Sequence, residues 1–120
     1  MTYLFSQPGK SLSRKILSPV PFKDRFPAGR LKPPVGIMPG DVRSLPELHD
    51  FLAPDEATLP GINLKGLPEW IEMRIGDREL AASVQTIVDQ SVSYVEDCIK
   101  VYEVVGVRLD QAHKAIKEVT

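Results

Sequence analysis

The sequence of 120 residues contains a single cysteine and lacks any run of about 18 consecutive apolar residues. A lone cysteine excludes an internal disulfide, and the missing apolar run excludes a typical transmembrane helix. The N-terminus also lacks the apolar segment of a secretory signal. We therefore expect a protein of the cytoplasm or of a particle assembled there. Organellar import stays open as an alternative, because residues 10 to 32 are basic, although their prolines oppose a helical transit peptide.

Motifs for catalysis and for cofactor binding are also lacking. The sequence has no cysteine and histidine cluster of zinc spacing and no nucleophile elbow, and the segment from 53 to 66 has no phosphate-binding pattern. Asp110 and His113 lie three residues apart on a predicted helix, but they supply only half of a carboxylate-bridged metal site. The sequence therefore predicts a chain that is not an enzyme and has no cofactor or metal.

Proline is abundant and unevenly distributed. Seven of the eleven prolines precede Ser44, and the net charge is +6 over residues 1 to 43 but −7 over residues 44 to 120. Prolines at this spacing leave no room for a helix longer than two or three turns. We therefore predict an extended, basic, proline-rich docking arm over residues 1–43 and a small helical domain over residues 44–120.

The predicted arm is too apolar to be a solvated tail, so we expect its side chains to occupy grooves of a protein partner. Its basic residues also permit an alternative, in which cations follow a nucleic-acid backbone and aromatic rings stack on bases. The cations are sparse for that role, and the interleaved aliphatic residues favour protein. The arm residues predicted to contact the partner are Phe5, Lys15, Phe22, Arg25, Phe26, Arg30 and Lys32.

Two short helices are predicted after the arm. Ser44 and Glu47 form a capping box, which indicates a helix from Leu45 to Leu52. A second helix is predicted to begin near Leu67 and to end at Gly76. Asp77 is then placed to cap a third helix. The intervening segment from 53 to 66 is expected to be a loop over the core.

The most regular pattern is a heptad repeat between Val84 and Val119, which predicts one long helix over about residues 77–119. Its far end would overshoot a small domain, so the repeat favours a second copy or another protein partner along the seam. Val105 is expected on this seam and Val104 on the outer face. The seam residues predicted to contact a partner are Tyr102, Val105, Leu109, Ala112, Ile116 and Val119.

Together these patterns predict a mainly α protein with a proline-rich N-terminal arm, two short helices and one long C-terminal helix. The function expected from them is a non-catalytic subunit that docks by its arm and long helix into a larger complex, such as a virion or another multi-subunit particle. The alternative is a nucleic-acid-binding accessory protein that uses the basic arm. We expect homo-oligomers or protein partners, and no membrane.

Overall fold

The computed structural model describes residues 5–32, 34, 36–54 and 59–117. The chain is mostly helical, as predicted, and it also contains a small sheet that was not predicted. A 3-10 turn at Phe22–Asp24 precedes the first strand, and a π-helical turn at Ile71–Ile75 continues α3. The elements in chain order are α1 (Lys10–Leu17), β1 (Phe26–Lys32), β2 (Gly36–Val42), α2 (Leu45–Leu52), β3 (Leu59–Ile62), α3 (Leu67–Trp70), α4 (Arg78–Asp89) and α5 (Tyr94–Lys117).

Three of the predicted helix boundaries after residue 43 are confirmed by their capping interactions. The hydroxyl of Ser44 accepts a hydrogen bond from the Glu47 amide at 3.2 Å, at the start of α2. Gly76 adopts φ 89°, a conformation that favours glycine, and it ends the π-helical turn after α3. The carboxylate of Asp77 then accepts from the Leu80 amide at 3.1 Å and caps α4. Local hydrogen bonding therefore explains why these boundaries were predictable.

A long C-terminal helix is confirmed, but its predicted bounds of about 77–119 are wrong, because this stretch is divided into α4 and α5 at residues 90–93. Ser91 is a polar residue within the apolar stripe of the heptad repeat. The hydroxyl of Ser93 accepts a hydrogen bond from the Glu96 amide at 3.2 Å, as the side chain of a helix cap does. The chain reverses at this bend, since Arg108 of α5 reaches Asp77 at the start of α4. The predicted overshoot therefore disappears, because α5 has 24 residues and is only about 36 Å long.

Helix α5 packs against α1, α2 and α4, so it buries more than one seam. Val105 is fully buried as predicted, but Val104 is also fully buried, which corrects its predicted place on the outer face. A helix with neighbours on several sides needs a wider apolar surface than a two-helix seam. Gly106 permits one close crossing, since a Cβ at this position would lie 2.9 Å from Nε2 of His49 on α2.

The first 43 residues differ from the predicted extended arm. Helix α1 occupies the two turns between Pro8 and Pro19, and β1 and β2 form an antiparallel hairpin. Their buried side chains join the same apolar cluster as α2 to α5. The Trp70 indole packs on Phe26 with ring centroids 5.7 Å apart and donates to the carbonyl of Asp24 at 2.7 Å. Packing between segments that are far apart in the chain leaves no local pattern in the sequence. The prediction of an extended arm therefore rested on the spacing of the prolines.

The three strands form a sheet in the order β2-β1-β3, and both pairings are antiparallel. Along β1, Phe26 is buried while the next side chain, Pro27, is exposed. Because side chains alternate along a strand, one face of the sheet packs on the core and the other faces away from it. The segment predicted as a loop contains β3, and its residues Ile62 and Leu64 are buried, whereas Leu59 is exposed.

Candidate binding surface

Along β1 and β3, the face of the sheet directed away from the core is apolar and poor in side chains. It is formed by alternate residues of β1 and by the β3 residues that pair with them, since Leu31 pairs with Leu59 and Gly29 with Gly61. Leu31 and Leu59 are each 37% exposed. This outer face, as we call it, borders a groove of about 660 Å³ whose lining includes Pro27, Gly29, Leu31, Leu59, Gly61 and Tyr94.

Tyr94, the first residue of α5, closes one end of this groove and covers an edge of the sheet. Its hydroxyl donates to the carbonyl of Pro60 at 2.5 Å and accepts from the Ile62 amide at 2.9 Å. Burial raises the pKa of the Tyr94 hydroxyl, which therefore remains a donor at neutral pH. Pro60 itself has no N–H to offer. The outer edge of β3 is consequently closed to an additional strand.

The opposite edge of the sheet is also a poor place for a further strand. Gly29 pairs with Pro39 of β2 on one side and with Gly61 of β3 on the other. Successive residues of a strand direct their backbone N–H and C=O groups to opposite sides. The Ile62 amide and the Pro60 carbonyl face Tyr94, so Gly61 between them faces Gly29. Gly29 therefore bonds to β3, and Pro39, which has no N–H, presents its backbone at the free edge of β2. Prolines at edges discourage pairing with other chains. A ligand of this sheet would therefore contact its outer face rather than extend it.

The size of the outer face limits what it can bind. Strand β1 has 7 residues and is about 23 Å long, and the two strands that form the outer face span about 10 Å, so the face covers on the order of 200 Å². A stable interface between globular proteins needs roughly 800 Å² from each partner. The outer face alone therefore suits one short segment of a partner better than a second folded copy.

The predicted arm contacts are mostly engaged within the chain. Phe26 is buried against Trp70, and Arg30 donates to the carbonyl of Phe51 at 2.6 Å. The exposed pair Phe22 and Arg25 stack on each other, with the guanidinium 4.0 Å from the ring centroid. Lys15 is exposed on α1, Phe5 lies beside Arg108, and the side chain of Lys32 is outside the described part of the chain. The structure does not bring these residues together as one surface.

The predicted seam contacts lie along the side of α5 that meets the rest of the fold. Tyr102 stacks on His49 with centroids 4.3 Å apart. A partner that contacts the buried members would first have to displace neighbouring helices. Of the seam residues, Val105, Leu109 and Ala112 are buried, Tyr102 and Ile116 are half-buried, and Val119 is outside the described residues.

A second, smaller pocket of about 270 Å³ lies at the bend between α4 and α5, on the other side of Tyr94. Its polar lining includes Asn63, Lys65, Ser91 and Asp97. Asp97 is only 4% exposed, and one of its oxygens accepts a hydrogen bond from the Ser91 hydroxyl. Its other oxygen, Oδ1, has no hydrogen-bond partner within the described structure.

The start of α4 holds a contrasting, fully paired carboxylate. Asp77 receives two hydrogen bonds from the Arg108 guanidinium, at 2.7 and 3.2 Å, and both side chains are buried. The N-terminal segment covers this pair, since Arg108 also donates to the carbonyl of Ser6 at 2.8 Å and lies 5.0 Å from the Phe5 ring centroid. Every charge here has a partner, so this cluster stabilises the fold.

The potential metal ligands and the cysteine of the described residues are arranged as structural side chains. Over the residues that the structure describes, no group of three or more potential ligands could hold a metal ion. Asp110 of the half-motif instead pairs with Lys114 at 3.2 Å on an exposed surface. Burial raises the pKa of the Cys98 thiol, which therefore remains protonated at neutral pH and packs in the core.

The described helices and the known proteins give no further indication of function. None of the described helices is both long enough and apolar enough to cross a membrane. Searches of protein-family profiles, curated proteins and solved structures find no match to this chain. Any functional inference must therefore be drawn from the surface itself.

Sequence reasoning missed both features of this surface. Pro27, Gly29 and Leu31 alternate with Phe26 and Arg30 as strand residues do, but the proline and glycine have low strand propensity. Tyr94 was assigned to the flank of one continuous helix, although it begins α5. The break at Ser91 was the available signal, because a serine cluster in an apolar register favours a new cap.

Proposed function

We propose that this chain is a non-catalytic assembly subunit that binds a short apolar segment of a larger protein complex on its outer face. One observation carries the proposal: among the described residues, the outer face formed by β1 and β3 is apolar and open, with exposed Leu31 and Leu59 beside glycines. Contiguous exposed apolar surface is typical of interaction sites. The nature of the complex, such as a virion or another particle, stays a prediction.

The geometry of the outer face supports this mode of binding over others. Gly29 and Gly61 carry no side chains, so a partner segment can approach the backbone closely between Leu59 and Tyr94. The closed edges oppose strand addition, and the small area suits a short segment. The predicted arm retains a role in this proposal, because β1 contributes Pro27, Gly29 and Leu31 to the surface.

The nucleic-acid alternative gains no specific support, since Phe26 is buried and Arg30 is engaged with Phe51. A salt titration separates the two functions. Counterion release makes nucleic-acid affinity fall steeply with salt, whereas apolar docking is nearly insensitive to it.

Site-specific photocrosslinking in cells of the native source tests the proposal. A photoreactive amino acid placed at Leu59 on the outer face is expected to give one discrete adduct with another protein. The matched control is the same amino acid at Met73, an apolar residue that is 67% exposed and does not line the groove. We expect no discrete adduct from that position.

The adduct distinguishes the proposal from its alternatives. A discrete heterologous adduct at position 59 that is lost when Leu31 is changed to Lys would support docking on the outer face. An adduct between two copies of this chain would instead assign the face to self-association. Equal labelling at positions 59 and 73, or none at either, would contradict the proposed surface.

A further inference from the structure

The pocket at the α4–α5 bend contains a buried carboxylate that is only partly satisfied. Asp97 is 4% exposed, and its Oδ2 accepts from the Ser91 hydroxyl while Oδ1 has no hydrogen-bond partner in the described structure. A buried carboxylate without donors is costly, and most buried polar atoms in proteins are paired. Asp97 lines a pocket that is open to the surface. The side chain of Asp97 therefore lines this pocket with its carboxylate incompletely paired.

The surroundings of this pocket favour a positively charged donor. Between Arg78 and Lys100 the sequence contains the acids Glu79, Asp89, Glu96 and Asp97 but no lysine or arginine. Asp89 ends α4 and Glu96 lies in the first turn of α5, so two of these acids flank the bend. A group of like charges beside a cleft raises the local concentration of the opposite charge.

Lys65 is the one cation among the pocket's lining residues, and it belongs to this chain. Its side chain is exposed, and it does not hydrogen-bond to Oδ1 of Asp97. The pocket thus has a cation at its border and an incompletely paired carboxylate in its lining. An incoming ammonium or guanidinium group would compete with Lys65 for this carboxylate.

We infer that this pocket binds the side chain of one lysine or arginine carried by the partner segment that covers the outer face. The inference rests on the proposed function, and it specifies the chemistry of the partner. Tyr94 lines both the apolar groove and the acidic pocket, so a single segment can contact both. Apolar side chains lie on the outer face, and a basic side chain crosses Tyr94 to donate a charge-assisted hydrogen bond to Asp97.

Selection of short random peptides displayed on phage against the intact chain provides the probe. We expect the selected peptides to combine apolar residues with one lysine or arginine. Replacing that basic residue with norleucine should weaken binding to the unmodified chain by a factor on the order of ten or more, measured by calorimetry. Against Asp97→Asn, the two peptides should bind with equal affinity.

Two variants separate the pocket from general charge effects. Asp89→Asn removes the same charge from an exposed position and should preserve the preference for the basic peptide. Lys65→Met removes the competing cation and should preserve or increase that preference. Equal loss of the preference in Asp89→Asn and Asp97→Asn would overturn the inference, because only long-range attraction would then remain.

The outcomes for the two proposals are distinct. Peptides that bind through Leu59, as shown by loss of binding in Leu59→Lys, but contain no basic residue would refute the cation pocket and leave the outer face intact. Peptides whose binding is unaffected by Leu59→Lys would refute the docking surface itself. The norleucine comparison uses the unmodified chain, so equal binding of the two peptides would refute the cation pocket even if Asp97→Asn does not fold.

Discussion

The two ends of helix α4 each lie beside a buried aspartate, and the two are satisfied to very different degrees. Asp77 at the first end caps α4 and receives two hydrogen bonds from Arg108. Asp97, beside the second end, lines a pocket, receives one hydrogen bond from Ser91 and has one oxygen without a hydrogen-bond partner in the described structure. The same type of residue therefore occurs in two different states. At the first end of α4 the carboxylate is fully paired within the chain, which we call the closed end, whereas at the second end it is incompletely paired, which we call the open end.

This difference suggests how stability and binding are divided in a small protein. A buried ion pair is costly to break, because removing one partner leaves an uncompensated charge. An incompletely satisfied carboxylate weakens the fold slightly but gains its missing donor on binding. We therefore expect substitutions at the Asp77 end to change stability and substitutions at the Asp97 end to change binding.

The largest effect is expected from Arg108→Met, which leaves Asp77 buried without its cation. The free energy of unfolding should fall by about 3–5 kcal/mol, measured by urea denaturation. Arg74→Met is the matched control, since Arg74 pairs with Asp24 at 3.5 Å on a side chain that is 53% exposed. That change should cost less than about 1 kcal/mol. Similar losses in both variants would show that the Asp77 end is not the stabilising one.

A smaller effect is expected from Phe5→Ala, which removes the ring that covers Arg108. A cation–π contact with a desolvated guanidinium contributes about 1–2 kcal/mol, so thermal unfolding should shift to a lower temperature. Phe22→Ala removes a similar contact with Arg25, but on an exposed ring, and should cost about 0.5 kcal/mol. If the two variants are equally stable, the N-terminal segment does not close this end.

At the second end of α4, Asp97→Asn should raise the free energy of unfolding by less than about 1 kcal/mol. The amide can still accept from Ser91, and the cost of burying an incompletely paired charge disappears. Chemical denaturation measures the change against Asp77→Asn, which should be clearly destabilising because Arg108 then lacks its counter-ion. A loss at Asp97 as large as that at Asp77 would reveal a partner for Oδ1 within the chain.

The sequence predicted the closed end better than the open one, for a physical reason. Ser44, Gly76 and Asp77 make their hydrogen bonds within a few residues along the chain, so their patterns are visible locally. The pairing of Asp77 with Arg108 depends on the reversal of α5, which the heptad repeat concealed. Apolar periodicity shows that a helix is buried but not how many neighbours surround it, which is why Val104 was misplaced.

The candidate surface was even less predictable, because it depends on contacts between distant segments. The outer face joins β1 with β3, and Tyr94 reaches β3 from the start of another helix. Strand signals were weak in a segment with Pro27, Gly29 and Pro39. Mainly helical architecture could thus be predicted from periodicity, whereas the sheet and its groove required the tertiary structure.

The smallest expected effect is the pH dependence of the contact between Ser6 and Glu79, which holds the N-terminal segment over the start of α4. Hydrogen bonds from the side chain and backbone amide of Ser6 to Glu79 lower the pKa of this carboxyl below its ordinary 4.5. A lowered pKa in the folded state means that the contact stabilises fully above the unfolded pKa and is lost as pH falls through the folded pKa. The Ser6 amide resonance should therefore move below pH 4.5 in an NMR titration, and it should not move in Glu79→Gln. A midpoint at or above 4.5 would mean that Ser6 does not hold Glu79, and that this contact does not help to cover the start of α4.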